Sequence, residues 1–154
     1  MTITELVEKA HKNATDKGFY ESDMLTITTL KILKKNNLID ENTNKLINTN
    51  FINSMISSKL MLIVSELGEA LKALRNRNFV KLGETCPYHL GHEALEQSNI
   101  FADYIKDTFE DEIADVFIRL FDLCGFMQID IERHIKLKMN YNKSRPKLHG
   151  KEFW

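Results

Sequence analysis

From residue 60 to residue 74 the apolar side chains Leu60, Ile63, Val64, Leu67, Leu71 and Leu74 recur every three or four positions, the spacing of one helix face. This stripe predicts a long helix over about 51 to 76. A second stripe, Ile113, Val116, Phe117, Leu120, Cys124 and Met127, predicts another over about 100 to 127, with Gly125 inside its end. Leu6, Val7, Ala10 and Ala14 mark a first helix from about Thr4 to Asp16, ended by Gly18. Asp130 is suited to cap a last helix reaching about Asn142. "SDMLTITTLKILKKNN" fits a short helix or, given its Thr and Ile, a strand; helix is the preferred reading. The Asn-rich 36 to 53 reads as a connection with at most short helical pieces. Residues 76 to 100, with Gly83, Pro87 and Gly91, read as a loop with at most one turn of helix. The expected fold class is all-α, a four-to-five-helix bundle in a single domain spanning 1–154.

Composition narrows the functional classes. A chain of 154 residues is long enough to bury about 70% of its unfolded surface. The net charge of −1, from 21 Lys plus Arg against 22 Asp plus Glu, gives no basic stripe for a nucleic acid polymer. The longest apolar run, "LMLIV" at 60–64, is far too short for a bilayer, and "MTITELVEKAHKN" lacks a signal-peptide pattern. A cytoplasmic protein without a membrane partner is expected, and two cysteines, Cys86 and Cys124, suit a reducing compartment.

Against this background two segments stand out. "SELGEALKALR" carries Glu66 and Glu69, and "FEDEIADVFIRLFDL" carries Glu112 and Asp115, each pair three residues apart and so on one helix face. Referred to the middle of each apolar stripe, the pairs fall on matching flanks, the second joined by Arg119 and Asp122. If the two helices pack through their stripes, four acids converge at the edge of the core. Like charges so placed repel and raise their own pKa values unless a cation sits among them. An all-oxygen set suits Mg²⁺ or Mn²⁺. A ferritin-like di-iron bundle would need Glu-x-x-His, and no His stands three positions after any of these acids. Mg²⁺ held by carboxylates completes its shell with water and phosphates, which implies a phosphate ester or anhydride as substrate. Two solvated helix flanks are the competing explanation, since Glu favours helices. Near the C-terminus Lys138 and Asn142 share a face and Arg145 precedes Pro146. Together they are suited to a polyphosphate, or simply to complementing the helix dipole.

Taken together, "SELGEALKALR", "EDEIADVFIRLFDL" and "KLKMNYNKSRPKLHGKEF" resemble the MazG-like family of all-α nucleoside triphosphate pyrophosphohydrolases over about 57 to 153. The opening "AHKNATDKGFY" is also similar to the start of many members. The resemblance implies Mg²⁺-dependent hydrolysis of a (d)NTP between the α and β phosphates, giving the monophosphate and pyrophosphate. It implies Glu66, Glu69, Glu112 and Asp115 as metal ligands, with the general base left open among them. It implies Lys138, Asn142 and Arg145 as triphosphate contacts, with His149 and Lys151 as additions. It also implies a homodimer, or a tetramer built from dimers, and a role in sanitising or supplying the nucleotide pool. The competing function is a non-catalytic helical regulator or assembly protein that binds metal or nucleotide. One departure is plain: 42 residues, Ala70 to Asp111, separate the two acidic pairs, more than is common in the family. The added length maps to about 76–107 as an insertion, read as a lid, a base-recognition element or an oligomer contact.

Smaller signals have simpler readings. Cys86, His89 and His92 lack an evident fourth zinc ligand and read as a surface loop. Phe19 and Tyr20 are expected to pack at a helix–loop junction rather than stack on a base. His11 and His134 read as helix-surface residues, Trp154 as a loose end or a cover for the site. Glu110 and Asp111 support the second acidic pair or are merely solvated.

Overall fold

The computed structural model describes residues 1–80 and 98–146, and every regular element there is helical. In chain order these are α1 (Ile3–Asp16), α2 (Glu21–Lys35), α3 (Glu41–Arg75), α4 (Ser98–Tyr104), α5 (Phe109–Phe126) and α6 (Ile131–Ser144). The all-α expectation holds, with six helices among the described residues against the four or five expected. Among the described residues no helix is long and apolar enough to cross a membrane.

Local chemistry sets the starts of these helices. Thr2 and Glu5 form a reciprocal capping box on α1. Asp40, Thr108 and Asp130 each accept a backbone N–H three residues on, from Thr43, Asp111 and Arg133 respectively. At the end of α1, Gly18 takes φ 81°, a left-handed turn that sends the chain into α2.

Two boundaries differ from expectation. The Asn-rich segment is no connection: α3 begins at Glu41 and runs 35 residues without a break. Its asparagines join the helix, Asn48 Nδ2 donating to the Asn44 carbonyl at 2.9 Å and to its Oδ1 at 3.1 Å. The predicted helix over 100–127 is divided instead. α4 ends at Tyr104, Asp107 turns with φ 62°, and Thr108 caps a fresh start for α5. The start of α4 at Ser98 agrees with the predicted helix start near 100.

The centre of the fold is α5, which packs against α3 on one side and α1 on the other. Helices α3 and α5 run antiparallel. Lys59 meets Asp122, Glu66 meets Arg119, and Phe109 N donates to the Asn78 carbonyl at 2.9 Å. Helix α1 comes so close to α5 that a Cβ on Gly125 would lie 2.5 Å from His11 Cβ. Helices α2 and α6 are more peripheral, touching α3 and α1 respectively.

The face that α3 turns to α5 is not the leucine stripe. Ala70 and Ala73 are buried, while Lys59, Ile63 and Glu66 are half-buried beside them. Leu60, Val64, Leu67, Leu71 and Leu74 lie roughly a third of a turn away and remain 46–54% exposed. Small residues explain the choice, because two alanines let the helix axes approach where leucines would hold them apart. On α5, Cys124 is buried as expected, while Phe117 and Met127 from the predicted stripe are exposed.

Candidate functional site

Because α3 turns Glu66 inward, the first acid of the Glu66/Glu69 pair faces the seam with α5 instead of lying on its flank. Glu112, in the first turn of α5, is buried, and Asp115 follows one turn later. Carboxylate oxygens of Glu66, Glu112 and Asp115 all lie within 4.8 Å of one another. Burial pushes the Glu112 carboxyl above its ordinary range, reinforced by the charges of Glu66, Asp111, Asp115 and Glu69. Burial likewise raises Asp115, helped by Asp111 and Glu66 and opposed by Arg119.

The fourth predicted acid does not join this triple. Glu69 is half-exposed and pairs with Lys72 at 3.4 Å. It nevertheless lines the same hollow, together with Phe101, Lys106, Asp107 and Asp111. Lys106 and Phe101 fall within 76–107, so the described end of that stretch borders the acids. Glu110 and Asp111 brace the site's edge. Glu110 accepts from Val80 N at 3.0 Å, and Asp111 accepts from Asp107 N at 3.0 Å.

Asp115 also lines a second space, a cavity of about 430 Å³ between α1, α3 and α5. Its walls include Asn13, Phe19, Met55, Leu62 and Ile118, and Arg119 stands beside Asp115. Arg119 Nε donates to Glu66 Oε1 at 2.6 Å, bridging α5 to α3. One turn further along α5 lies Asp122, whose carboxylate accepts from Tyr20 Oη at 2.7 Å and Lys59 Nζ at 3.0 Å. It also bonds His11 Nδ1 at 2.9 Å. Burial pushes Asp122 up, but the three hydrogen bonds outweigh it and hold the carboxyl below its ordinary value of 3.8. The Lys59 ammonium sits 3.9 Å from the Tyr20 ring centroid, and Tyr20 stacks on Phe126.

His11 is therefore not a free surface residue, contrary to the sequence reading. The spacing carried a signal: Lys59 and Glu66 are seven apart, as are Asp115 and Asp122, so each pair shares a face. Tyr20 packs at the junction as expected, while Phe19 stays exposed at the cavity wall. His134 is exposed, as read.

The predicted phosphate contacts are not brought to the acids. Lys138 and Asn142 lie exposed on α6 and Arg145 at its end, with Lys138 and Arg145 ranged over the Tyr141 ring. None of the three lines the hollow or the cavity. His149, Lys151 and Trp154, with Cys86, His89 and His92, lie outside the described residues. Compared with known protein families, with curated proteins and with solved structures, the chain gives no match to any of them.

Proposed function

We propose that the protein is a Mg²⁺-dependent hydrolase of a nucleoside triphosphate, cleaving between the α and β phosphates to give the monophosphate and pyrophosphate. The observation that carries this reading is Asp115, which belongs at once to the three-carboxylate cluster and to the wall of the 430 Å³ cavity. A ligand with an organic body in the cavity and phosphates reaching past Asp115 suits both spaces. The MazG-like resemblance supplies the same chemistry from the sequence side.

The donor set fits the ion. Glu66, Glu112 and Asp115 offer only oxygen, within 4.8 Å, and burial, with like-charge crowding added, already raises the pKa of Glu112 and Asp115. When bound, Mg²⁺ supplies charge for the phosphate oxygens and acidity for an attacking water. A carboxylate of the set takes the water's proton as its oxygen bonds to phosphorus and the α–β bridging bond breaks. Glu69, in the same hollow, is the fourth ligand that the resemblance implies, and Mn²⁺ is the natural substitute ion. Lys106 borders the hollow, and in this reading its charge balances the leaving pyrophosphate. Lys138, Asn142, Arg145, His149 and Lys151 stay in this account as triphosphate contacts only through the resemblance.

A homodimer, or a tetramer built from dimers, belongs to the same reading. The exposed band Leu60, Val64, Leu67, Leu71 and Leu74 on α3 is the kind of continuous apolar surface that subunits cover. Leu67→Glu should shift the protein to monomers in light scattering, and an unchanged mass would place the contact elsewhere.

Phosphorus NMR on reactions with single canonical or modified (d)NTPs and Mg²⁺ tests the chemistry. Pyrophosphate plus the matching monophosphate, lost on adding EDTA, is expected. Orthophosphate and diphosphate, or no product from any triphosphate, would overturn the proposal. Mg²⁺-dependent nucleotide binding without products would favour the non-catalytic regulator.

A further inference from the structure

Two cations on the α3–α5 seam, Lys59 from α3 and Arg119 from α5, are held very differently. Lys59 is anchored: its ammonium donates a hydrogen bond to Asp122, the Tyr20 ring lies against it, and its side chain is only 16% exposed. Arg119 has a single anchor. Of its five guanidinium donors, only Nε–H has a protein partner among the described residues, and that partner is Glu66. Its side chain is 38% exposed against 12% for Glu66, so the guanidinium has solvent to turn into and the carboxylate does not.

Glu66 thus has two claims on it. It is Arg119's acceptor, and it is one corner of the three-carboxylate cluster. Arg119 also lines the cavity beside Asp115, where the cavity and the acid hollow share a wall. A ligand spanning the two spaces must pass this guanidinium. A planar fork that stays charged at every working pH is well matched to a phosphate at that point.

We propose that Arg119 is an exchangeable cation: it neutralises Glu66 until a divalent ion claims that carboxylate, and then turns to the substrate phosphate nearest the nucleoside. This rests on the metal-and-triphosphate reading given above. The exchange couples the two binding events. Phosphate draws Arg119 away from Glu66 and so strengthens ion binding, and the ion frees Arg119 for phosphate. A residue that only balances Glu66's charge would produce no such coupling to phosphate.

Mn²⁺ titrations followed by electron paramagnetic resonance test this without turnover. They are run with and without a mixture of the α,β-methylene analogues of the common ribo- and deoxynucleoside triphosphates. In the wild type the analogues should tighten Mn²⁺ binding about tenfold, an ordinary coupling between two sites. Arg119→Gln should bind Mn²⁺ several-fold more tightly on its own, its competitor gone, and should lose the Arg119-dependent part of the analogue gain, keeping only what direct phosphate ligation of the ion supplies. Arg119→Lys, which keeps the charge without the fork, should retain part of that gain and guards against a folding defect in the first variant. Arg119→Gln with the full gain would make Arg119 a counter-ion only and overturn the proposal. Mn²⁺ binding in the wild type indifferent to the analogues would also overturn it, leaving the metal site standing. No Mn²⁺ binding at all would overturn both.

Discussion

Asp115 and Asp122 sit two turns apart on α5, both toward α3, in opposite surroundings. Burial pushes each carboxyl upward. Around Asp122 three donors from α1, α3 and the α1–α2 junction outweigh that push, and the group ends below its ordinary value. Around Asp115 the neighbours are Glu66, Glu112 and Asp111, with Arg119 the one cation opposing them, and the group ends above. A buried charge is tolerable when the fold itself supplies its hydrogen bonds, and costly when it does not. Asp122 is therefore structural, tying α1 and the α1–α2 junction to the α3–α5 pair. The acids around Asp115 have only Arg119 set against them, and in the proposed function a divalent ion supplies the rest of the balancing charge.

The largest test of that contrast is on turnover. Glu112→Gln or Asp115→Asn should lower hydrolysis by at least about 100-fold, since removing a ligand costs more than disturbing its supports. The same changes should leave the urea midpoint unchanged or raised, because they relieve like-charge crowding. Glu69→Gln, altering a group outside the triple, should lose less activity than either. Equal losses would make Glu69 a full ligand of the proposed metal site.

Asp122→Asn should behave the other way. Breaking a buried, hydrogen-bonded pair is expected to cost about 3 kcal/mol in urea unfolding while Mn²⁺ affinity stays near wild type. A smaller effect, about 1–2 kcal/mol, is expected for Gly125→Ala. Its new methyl would fall on His11 and loosen one of Asp122's partners, with part of the cost returned by better helix propensity.

The smallest effect is a pH dependence with two signs. Glu112 and Asp115 have raised folded values, so without divalent ions the folded state binds more protons than the unfolded chain just above the ordinary carboxylate range. Stability should therefore rise as pH falls through that window. Asp122 has a lowered value, so its contribution is full above 3.8 and is lost as pH falls below it. Thermal melts in EDTA should show this rise and fall. Saturating Mg²⁺ should abolish the rise alone.

Much of this arrangement was legible in the sequence, and what was not has physical reasons. Acids three apart, caps at Asp130 and the glycine after α1 are local signals, read without knowing the fold. The first ten residues of α3, Glu41 to Asn50, read as a connection because asparagine is usually a turn residue, although Asp40 is an available N-cap. The inward face of α3 was misjudged because hydrophobicity alone marks Leu67 and Leu71, whereas close packing selects Ala70 and Ala73. Three helix ends carry no glycine. Asn37, Arg77 and Gln128 take the left-handed conformation at φ 53–56°, so composition does not mark them. The Asp122 network joins residues from position 11 to position 122, and only tertiary structure brings those together.

The most direct test is the Mn²⁺-induced shift in melting temperature of the wild type, Glu112→Gln and Asp122→Asn side by side. The account predicts a clear upward shift for the wild type and for Asp122→Asn, the latter from a lower starting point, and little or none for Glu112→Gln. Equal shifts in all three, or a shift lost only in Asp122→Asn, would contradict the assignment of the two carboxylate groups.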